Sequence, residues 1–416
     1  FPRLTTRSSR SKAMARVVLG VGGGIAAYKS CELLRRLRAD GHEVRVVPTR
    51  AALNFVGTAT WEALSGEPVR TEVFADVPDV AHVRIGQAAD IVIVAPATAD
   101  LLARAAHGLA DDLLGNVLLT ATAPVVFAPA MHTEMWLHPA TQANVALLRE
   151  RGAMVIDPAV GRLTGVDSGP GRLPEAHELA ATTAAVLDSG IPPRDLVGVR
   201  VLVSAGGTQE ALDPVRYLGN RSSGKQGYAI AVSARDRGAD VVLVAAHTHL
   251  PDPAGIRIIT ADSALDVQRI MAAEVAHADV VVMAAAIADY RPASVAPAKV
   301  KKQAGGMTSV PLVENPDILA GLVAARDGAA HPLLVGFAAE TGDATADALD
   351  HGRRKFVAKG CDVMVVNQVG AGLVFGQDRT SATILTADSD LTLTDVSKRQ
   401  LAESLWDLLG PLAARA

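Results

Sequence analysis

Two stretches of the chain share one pattern, and this pattern constrains the fold more than any other feature. Each begins with a short apolar run, passes through closely spaced glycines and then takes on helical spacing, over residues 15–38 and 199–235. In the first stretch a second apolar run, Glu43–Pro48, follows. This order predicts parallel strands joined by crossover helices. A length of 416 residues predicts two or three domains, and a Pro/Gly-rich segment places one boundary near Gly190.

Composition excludes several classes of protein. The chain is 49% hydrophobic but only 3% aromatic, as expected for α/β layers with β-branched strands. A formal net charge of −4 argues against nucleic acid as a partner, and no apolar run reaches the roughly 18 residues of a membrane span. Two cysteines, Cys31 and Cys361, support neither a disulfide framework nor a zinc site and favour a reducing cytosol. We interpret residues 1–13 as a disordered or artificial leader before a natural start at Met14.

The second glycine-rich stretch, Ser204–Tyr228, predicts a phosphorylated ligand. It lies between an apolar strand and a helix expected from Ala229, and it contains two arginines and a lysine. Glycines let backbone N–H groups approach an anion, and a helix N-terminus adds a favourable dipole. Residues 219–225 have the spacing of a P-loop, but Gln226 stands where Ser or Thr should hold magnesium. Gly206-Gly207 lacks the dinucleotide spacing as well, so both of these interpretations are rejected.

The same stretch resembles the ligase half of the bacterial bifunctional enzymes in which phosphopantothenate–cysteine ligase is fused to phosphopantothenoylcysteine decarboxylase. The resemblance rests on residues 204–208, Asp213-Pro-Val-Arg216 and Asn220-x-Ser-Ser-Gly-Lys225, and on later matches at Lys299-x-Lys301 and 336–341. It implies Mg²⁺-assisted, CTP-dependent joining of 4'-phosphopantothenate to L-cysteine through an acyl-cytidylate.

The ligase resemblance also implies roles for single residues. Asn220 would handle the intermediate, Lys299 would steady phosphate charge, and Arg216 would bind substrate. Asp289 would assist nucleotide or metal binding. The implied nucleotide-binding residues are Met283, Ala284, Ala285, Asp289, Lys299, Asn315, Pro316, Asp317, Ile318, Phe337, Lys355 and Lys359. From the residues alone, Asp289 ends an apolar run, so a structural ion pair and a magnesium or ribose contact both stay open; the Lys299–Lys302 charges fit a solvated face or a phosphate site.

In the first half, three strands are followed by residues suited to a phosphorylated ligand. The second strand ends at Pro48-Thr49-Arg50, without the acid that a dinucleotide ribose requires. This tip favours a mononucleotide or flavin mononucleotide. The strands Ile91–Ala95 and Val125–Ala128 lead into 96–100 and 129–136, at the sheet edge where α/β proteins bind ligands. His82 precedes this region, and its role stays open between structural and catalytic.

These features resemble the flavin-containing cysteine decarboxylases, a trimer-forming family with a Rossmann-like fold. The matching segments are 22–29, 96–100 and 129–136. The resemblance implies that FMN oxidises the substrate thiol to a thioaldehyde, which accepts the electrons of decarboxylation and yields 4'-phosphopantetheine. It implies catalytic His82 and His132, and substrate-binding Met131. The implied cofactor-binding residues are Gly23, Gly24, Ile25, Ala26, Thr49, Thr98 and Ala99.

The chain departs from this family at two positions. His132 stands where the family usually has Asn, and the flap Gly161–Arg172 lacks the cysteine that protonates the enethiolate in bacterial members. Thr164 lies near the expected place, although a hydroxyl is a far weaker acid than a thiol, and Asp167 is a second candidate. The proton donor is therefore left open.

The sequence as a whole predicts the α/β class: two Rossmann-like three-layer domains with mainly parallel sheets. Residues 14–190 would form the FMN-dependent decarboxylase, and 191–416 the CTP-dependent ligase. The resemblance implies a cytoplasmic homo-oligomer, a dodecamer with trimeric decarboxylase and dimeric ligase contacts. Two further hypotheses stay open: an FMN-dependent oxidoreductase with a Rossmann-like reductase domain, and a protein with one catalytically dead, regulatory half.

Overall fold

A computed structural model describes residues 14–72, 81–162, 168–301, 309–340, 347–368 and 377–413. The predicted leader 1–13, the flap candidates Thr164 and Asp167, and Lys302 lie outside the described residues. The chain divides into two compact units, residues 1–192 with 253–255, and residues 193–252 with 256–416. No helix in these ranges is long and apolar enough to cross a membrane.

The first unit is built on a five-stranded parallel sheet with the order β2-β1-β3-β4-β5. Its strands are β1 (Arg16–Val21), β2 (Glu43–Pro48), β3 (Ile91–Ala97), β4 (Val125–Pro129) and β5 (Met154–Val155), followed by an antiparallel hairpin of β6 (Ala159–Arg162) and β7 (Ser168–Arg172). Its helices are α1 (Lys29–Ala39), α2 (Thr58–Ser65), α3 (Ala81–Ala88), α4 (Ala99–His107), α5 (Leu113–Thr120), α6 (Thr133–Leu137), α7 (Pro139–Glu150) and α8 (Ala176–Ser189), with short 3-10 helices at Ile25–Tyr28 and Arg50–Asn54.

The second unit contains an eight-stranded sheet with the order β12-β11-β8-β13-β16-β17-β18-β19, parallel except for its last two strands. Its strands are β8 (Arg200–Gly206), β9 (Gln209–Ala211), β10 (Tyr217–Gly219), β11 (Asp240–Ala246), β12 (Arg257–Ala261), β13 (Val280–Met283), β14 (Tyr290–Pro292), β15 (Leu312–Glu314), β16 (Leu333–Glu340), β17 (Val363–Gln368), β18 (Arg379–Leu385) and β19 (Asp390–Ser397). Its helices are α9 (Lys225–Asp236), α10 (Ala264–Glu274), α11 (Ile318–Arg326), α12 (Ala348–Lys359) and α13 (Lys398–Ala413), with a 3-10 turn at Val275–His277.

Both sheets are covered on their two faces, which explains why their strands are almost continuously apolar. Neighbouring residues of a strand contribute to different cores: Leu19 of β1 packs in one cluster and Val18 in another. In the second unit, Val203 and Leu202 of β8 divide in the same way. Each sheet therefore lies between two helical layers, and the predicted three-layer α/β class with mainly parallel sheets is confirmed.

The strand order reverses once beside the first strand of each unit. β1 pairs with β2 on one side and β3 on the other, and β8 pairs with β11 and β13. In each sheet the connections after two neighbouring strands, β1 and β3 or β8 and β13, therefore leave in opposite directions. They open a crevice at the carboxyl ends of these strands. Open α/β sheets bind their ligands at this switch point.

Two local expectations from the sequence were wrong. Helix α9 begins at Lys225 rather than Ala229, because Gly224 takes a left-handed φ of 74° at the N-cap and starts the helix earlier. The apolar run after β13 does not continue the strand: residues 284–288 form a loop, and Asp289 at its end is exposed. Burial therefore gives no reason for a structural ion pair at Asp289.

Candidate active sites

The first candidate site is a cleft of about 1150 Å³ at the switch point of the first unit. It brings together every residue predicted to bind the cofactor, and Met131 and His132 as well. Three segments that line it, the glycine turn and those of Thr49 and Thr98, follow β1, β2 and β3 in that order. Typical ligand pockets occupy roughly 300–1,000 Å³, so the cleft has room for a cofactor and a second ligand.

The glycine turn after β1 packs closely against its neighbours. Gly22 N–H donates to the carbonyl of Pro96 at 2.9 Å, and a Cβ on Gly22 would lie 2.6 Å from that oxygen. A Cβ on Gly24 would instead point beside Thr98, 3.7 Å from its methyl carbon. The absence of side chains therefore keeps the turn in contact with β3 and leaves space beside Thr98.

Two threonines begin helices at the edge of this cleft. Thr49 Oγ1 accepts from Ala52 N at 3.2 Å, and Thr98 Oγ1 accepts from Leu101 N at 3.2 Å, where it caps α4. A capped helix N-terminus facing a cleft is suited to an anionic group. With the glycine turn opposite, these residues fit the phosphate-bearing end of a flavin mononucleotide.

Two cations that the sequence analysis did not single out also line the cleft. Lys29 Nζ and Arg172 Nη2 both contact Oε1 of Glu175, at 2.8 and 3.2 Å. The hydrogen bond from Lys29 is the main cause that holds the pKa of Glu175 below its usual value. Two cations share one carboxylate, so this wall carries a net positive charge. In the sequence, Arg172 at the end of the flap was the signal that could have indicated these cations.

The flap hairpin is joined to the substrate side of the cleft by its glycines. Met131 N–H donates to Gly171 O at 3.0 Å, and a Cβ on Gly171 would lie 2.2 Å from Met131 O. His132, the N-cap residue of α6, follows directly. The Gly-Pro-Gly sequence of β7 thus allows the flap to approach the residues predicted to bind substrate.

His82 is not among the residues that line the cleft. It lies on α3, where its carbonyl accepts from Thr120 Oγ1 at 3.0 Å and its Nδ1 is buried without a hydrogen-bond partner. The structure of this chain therefore separates His82 from the other residues predicted for the decarboxylase, and its catalytic role stays a prediction.

We expect Gly23→Ala to weaken flavin binding ten- to hundredfold, because overpacking by one methyl costs about 1–3 kcal/mol. A Cβ at this position would lie 2.4 Å from Ala51 Cβ and 2.9 Å from its carbonyl carbon, so the turns after β1 and β2 must separate. Fluorescence titration of the apoprotein with FMN measures the effect. Gly57→Ala is the control, since nothing lies within 4 Å of its Cβ. Equal affinities of the two variants would contradict the assignment of this turn.

The second candidate site is the loop 284–289 at the switch point of the second unit. Its backbone is held by side chains of the glycine-rich stretch: Ser204 Oγ accepts from Ala285 N at 3.2 Å, and Thr208 Oγ1 accepts from Ala288 N at 3.0 Å. Ser204 and Thr208 are fully buried. The sequence analysis included both residues in its signature but gave them no role.

Two asparagines predicted from the sequence hold the same loop. Asn220 Nδ2 donates to Ile287 O at 2.9 Å, and Asn315 Nδ2 donates to Ala288 O at 2.8 Å. Asn315 N–H also donates to Asp289 O at 2.8 Å. The loop thus brings Asn220, Asn315 and Asp289 together with the end of β13.

The predicted lysines of α12 contact carboxylates in this structure. Lys355 Nζ lies 3.1 Å from Glu340 Oε1, and Lys359 pairs with Asp317, the N-cap residue of α11. Although burial raises the pKa of Asp317, its hydrogen bond to Lys359 brings the net value below the usual range. Both lysines therefore lie close to the Asn315–Ile318 segment and to β16, which carries Phe337.

Lys299 is exposed in a segment that we call the lysine loop, residues 296–301. Arg216, predicted to bind substrate, is half exposed and pairs with Asp213 at 2.5 Å, while its Nη2 donates to Val300 O at 2.7 Å. The structure therefore places Arg216 next to the lysine loop.

The metal-binding side chains among the described residues give no support to the predicted magnesium site. Within the part of the chain that the structure describes, no group of three or more His, Cys, Asp or Glu side chains could hold a metal ion. A Mg²⁺ ion often has only one or two carboxylate ligands and takes the rest from phosphates and water.

Both cysteines have raised pKa values. Burial raises the pKa of Cys31, on α1, and raises the pKa of Cys361 to about 11. At neutral pH both thiols are therefore protonated, and Cys361 Sγ donates to Val363 O at 3.4 Å. Cys361 is buried, and Cys31 is partly so.

The fold gives two compact α/β units, each with a candidate ligand-binding site at the switch point of its sheet. Two family models match: Flavoprotein over residues 5–188, and the DNA/pantothenate metabolism flavoprotein C-terminal domain over residues 196–411. The chain is 56% identical over 399 residues to the coenzyme A biosynthesis bifunctional protein CoaBC of Mycobacterium tuberculosis, covering 94% of this chain and 96% of that protein. It is 40% identical over 402 residues to CoaBC of Escherichia coli K12, covering 95% and 97%.

A solved structure titled as the C-terminal domain of CoaBC also overlaps with the chain, with 30% identity, a TM-score of 0.44, and coverage of 54% of this chain and 100% of that one. From the full-length sequence identities, the chain belongs to the family of bifunctional coenzyme A biosynthesis proteins CoaBC.

The family membership confirms the predicted enzyme of coenzyme A biosynthesis that combines a decarboxylase with a ligase. The Flavoprotein match confirms the predicted flavin. An oxidoreductase with a reductase domain is not favoured. The roles of single residues are not tested by these similarities and stay predictions.

Proposed function

We propose that this chain converts 4'-phosphopantothenate, L-cysteine and CTP into 4'-phosphopantetheine in two successive reactions. The ligase reaction takes place in residues 191–416 and the FMN-dependent decarboxylation in residues 14–190. The observation that carries the proposal is the grouping of the predicted residues: most of each set gathers at the switch point of its own sheet. Two separate candidate sites, one in each unit, suit two reactions on one phosphorylated molecule.

For the ligase, we assign the loop 284–289 and its partners to the nucleotide. The carboxylate of 4'-phosphopantothenate attacks the α-phosphate of CTP, pyrophosphate leaves, and the amine of cysteine then displaces CMP from the acyl-cytidylate. Lys299 stabilises the negative charge that develops on the phosphate oxygens, and Asn220 lies beside the loop to contact the intermediate. Lys355 and Lys359 exchange their carboxylate partners for the triphosphate.

For the decarboxylase, the residues that line the first cleft hold both the cofactor and the substrate. Gly23, Gly24, Thr49 and Thr98 would hold the phosphate end of FMN. When bound, FMN would supply reversible oxidation of the substrate thiol. Met131 and His132 face the substrate, and the imidazole of His132 donates a hydrogen bond to its carboxylate. The described flap strand β7 packs against this side, where Gly171 O accepts from Met131 N–H.

Three finer predictions belong to the same proposal. Asp289 would be the one protein carboxylate that holds Mg²⁺, and the ion would offset the phosphate charge of the nucleotide. The chain assembles as a homo-oligomer, a dodecamer of trimeric decarboxylase and dimeric ligase contacts, and acts in the cytoplasm. His82 acts as a catalytic residue of the decarboxylase, although it does not line the cleft within a single chain.

Purified protein should be yellow and should release pyrophosphate from CTP only when 4'-phosphopantothenate is present. With cysteine added, carbon dioxide should follow. A visible absorption spectrum, a pyrophosphate assay with CTP and ATP compared, and mass spectrometry of the product measure the three expectations. Bleaching of the flavin by NAD(P)H without these substrates would instead support the oxidoreductase hypothesis.

A single-turnover assay with 4'-phosphopantothenoylcysteine tests the decarboxylase by itself. One equivalent of carbon dioxide per flavin is expected, although the flap lacks a cysteine. A yellow protein that ligates but releases no carbon dioxide would indicate that the first half is regulatory.

A further inference from the structure

The turn between β9 and β10 carries a buried carboxylate that the reaction described above does not use. Asp213 is only 2% exposed. Its Oδ1 accepts from the backbone N–H groups of Val215 and Arg216, at 2.8 and 2.9 Å. Its Oδ2 accepts from Nε and Nη2 of Arg216, at 3.0 and 2.5 Å. An Asp at the start of such a turn, with Pro214 next, fixes the turn by bonding to the backbone that follows.

The same carboxylate also binds the lysine loop. Val300 N–H donates to Asp213 Oδ2 at 3.1 Å, and Arg216 Nη2 donates to Val300 O at 2.7 Å. At the other end of the loop, Ala296 N–H donates to Leu212 O at 3.0 Å. Both backbone polar groups of Val300, the residue between Lys299 and Lys301, are therefore held by one Asp–Arg pair.

The charge of Asp213 is strongly stabilised in this position. Hydrogen bonds from Arg216, and then from the backbone N–H groups of Val215, Val300 and Arg216, outweigh burial and hold its pKa far below the usual range. The carboxylate is thus ionised at every pH at which the enzyme works. An amide here would turn its NH2 group toward donors in either orientation, the Arg216 side chain with Val300 N–H or the backbone N–H groups of Val215 and Arg216, and would leave those donors unsatisfied.

The hairpin that contains Asp213 also positions the predicted catalytic asparagine. Asn220 follows β10 directly, and its side chain is bound to the loop 284–289. The tip of the hairpin thus holds the lysine loop, and its base presents Asn220. We propose that Asp213 is a positioning residue of the ligase: it holds the Lys299–Lys301 segment in place beside the nucleotide site by binding the backbone of Val300.

Limited digestion with trypsin tests this anchor, because Val300 lies between two trypsin sites. In Asp213→Asn, cleavage after Lys299 and Lys301 should be at least about tenfold faster, while flavin content and cleavage at the other trypsin sites of the unit stay close to wild type. The kcat/KM for CTP should fall about a hundredfold, through kcat more than KM. Asp395→Asn is the matched control: it removes another Asp–Arg pair of the same unit, Asp395 with Arg379 on β18 and β19, and should change neither rate.

Unchanged cleavage after Lys299 and Lys301, or equal acceleration at every trypsin site, would overturn the proposal. If Asp213→Asn does not fold, Val300→Pro removes the N–H that donates to Asp213, and its ring also fixes φ at residue 300 and restricts Lys299; cleavage after Lys301 should quicken and ligation should fall. Normal ligation by that variant would also overturn it. The effect on ligation rests on the proposed function, whereas the digestion does not. A wild-type enzyme without ligase activity would refute the function and leave the anchor to be judged by digestion.

Discussion

Replacement of Lys299 by Gln is expected to abolish nucleotide-dependent ligation, with a fall in rate of about 10²–10³ or more, and to leave the flavin bound. The physical reason is the loss of one preorganised positive charge next to phosphate oxygens on which charge develops. Lys299 is exposed on the lysine loop, so the substitution removes no core contact. The measurement is CTP-dependent release of pyrophosphate, together with the visible spectrum of the same sample.

Arg269→Gln is the control for this experiment. It removes a cation from α10 of the same unit, where the side chain is 72% exposed and pairs with Asp266. Its ligation rate should stay within about twofold of wild type. If Lys299→Gln lost both ligation and flavin, the assignment of one reaction to each unit would be wrong.

The second large effect is expected for Gly206→Ala at the end of β8. Gly206 has a φ of +89°, and a Cβ there would lie 1.6 Å from the carbonyl oxygen of Ala246, which accepts from Gly207 N–H at 3.0 Å. Strands β8 and β11 must therefore separate, at a cost of at least about 3 kcal/mol. This cost lowers the unfolding midpoint of the unit by roughly 10 °C. Ligation should be lost, and flavin binding should persist.

Gly321→Ala provides the matched substitution. Gly321 lies in α11 of the same unit, no atom lies within 4 Å of its Cβ position, and its φ is not left-handed. An alanine there should raise stability by about 0.5–1 kcal/mol, because glycine is unfavourable inside a helix. Calorimetry of both variants checks the pair. Similar unfolding midpoints would show that the approach of β8 to β11 is not as close as described.

Local signals in the sequence were sufficient for the architecture and for much of the first site. The turn at Gly22–Gly24, the capping residues Thr49 and Thr98, and their places after parallel strands follow from residue types and spacing. Parallel strands align their carboxyl ends, so the predicted residues had to meet at one edge of the sheet. The segment Asn315–Ile318 was instead implied by the resemblance to the ligase family, and in the structure Asp317 caps α11.

Other features depended on contacts between residues far apart in the chain. The apolar run after β13 had the composition of a strand, but Ser204 and Thr208 bind its backbone and hold it as a loop, about 80 residues away in sequence. The bond from Val300 to Asp213 spans 87 residues. Periodicity carries no information about such pairs. Periodicity likewise could not indicate that Lys29 and Arg172 share Glu175.

The two protonated cysteines have a consequence for the substrates. The ligation product, 4'-phosphopantothenoylcysteine, carries a free thiol to the decarboxylase reaction. Cysteine itself carries a free thiol as well. Only a thiolate attacks a disulfide, and the burial of Cys31 and Cys361 keeps both in the thiol form at neutral pH. The enzyme is thereby protected from mixed disulfides with oxidised forms of the compounds that it processes.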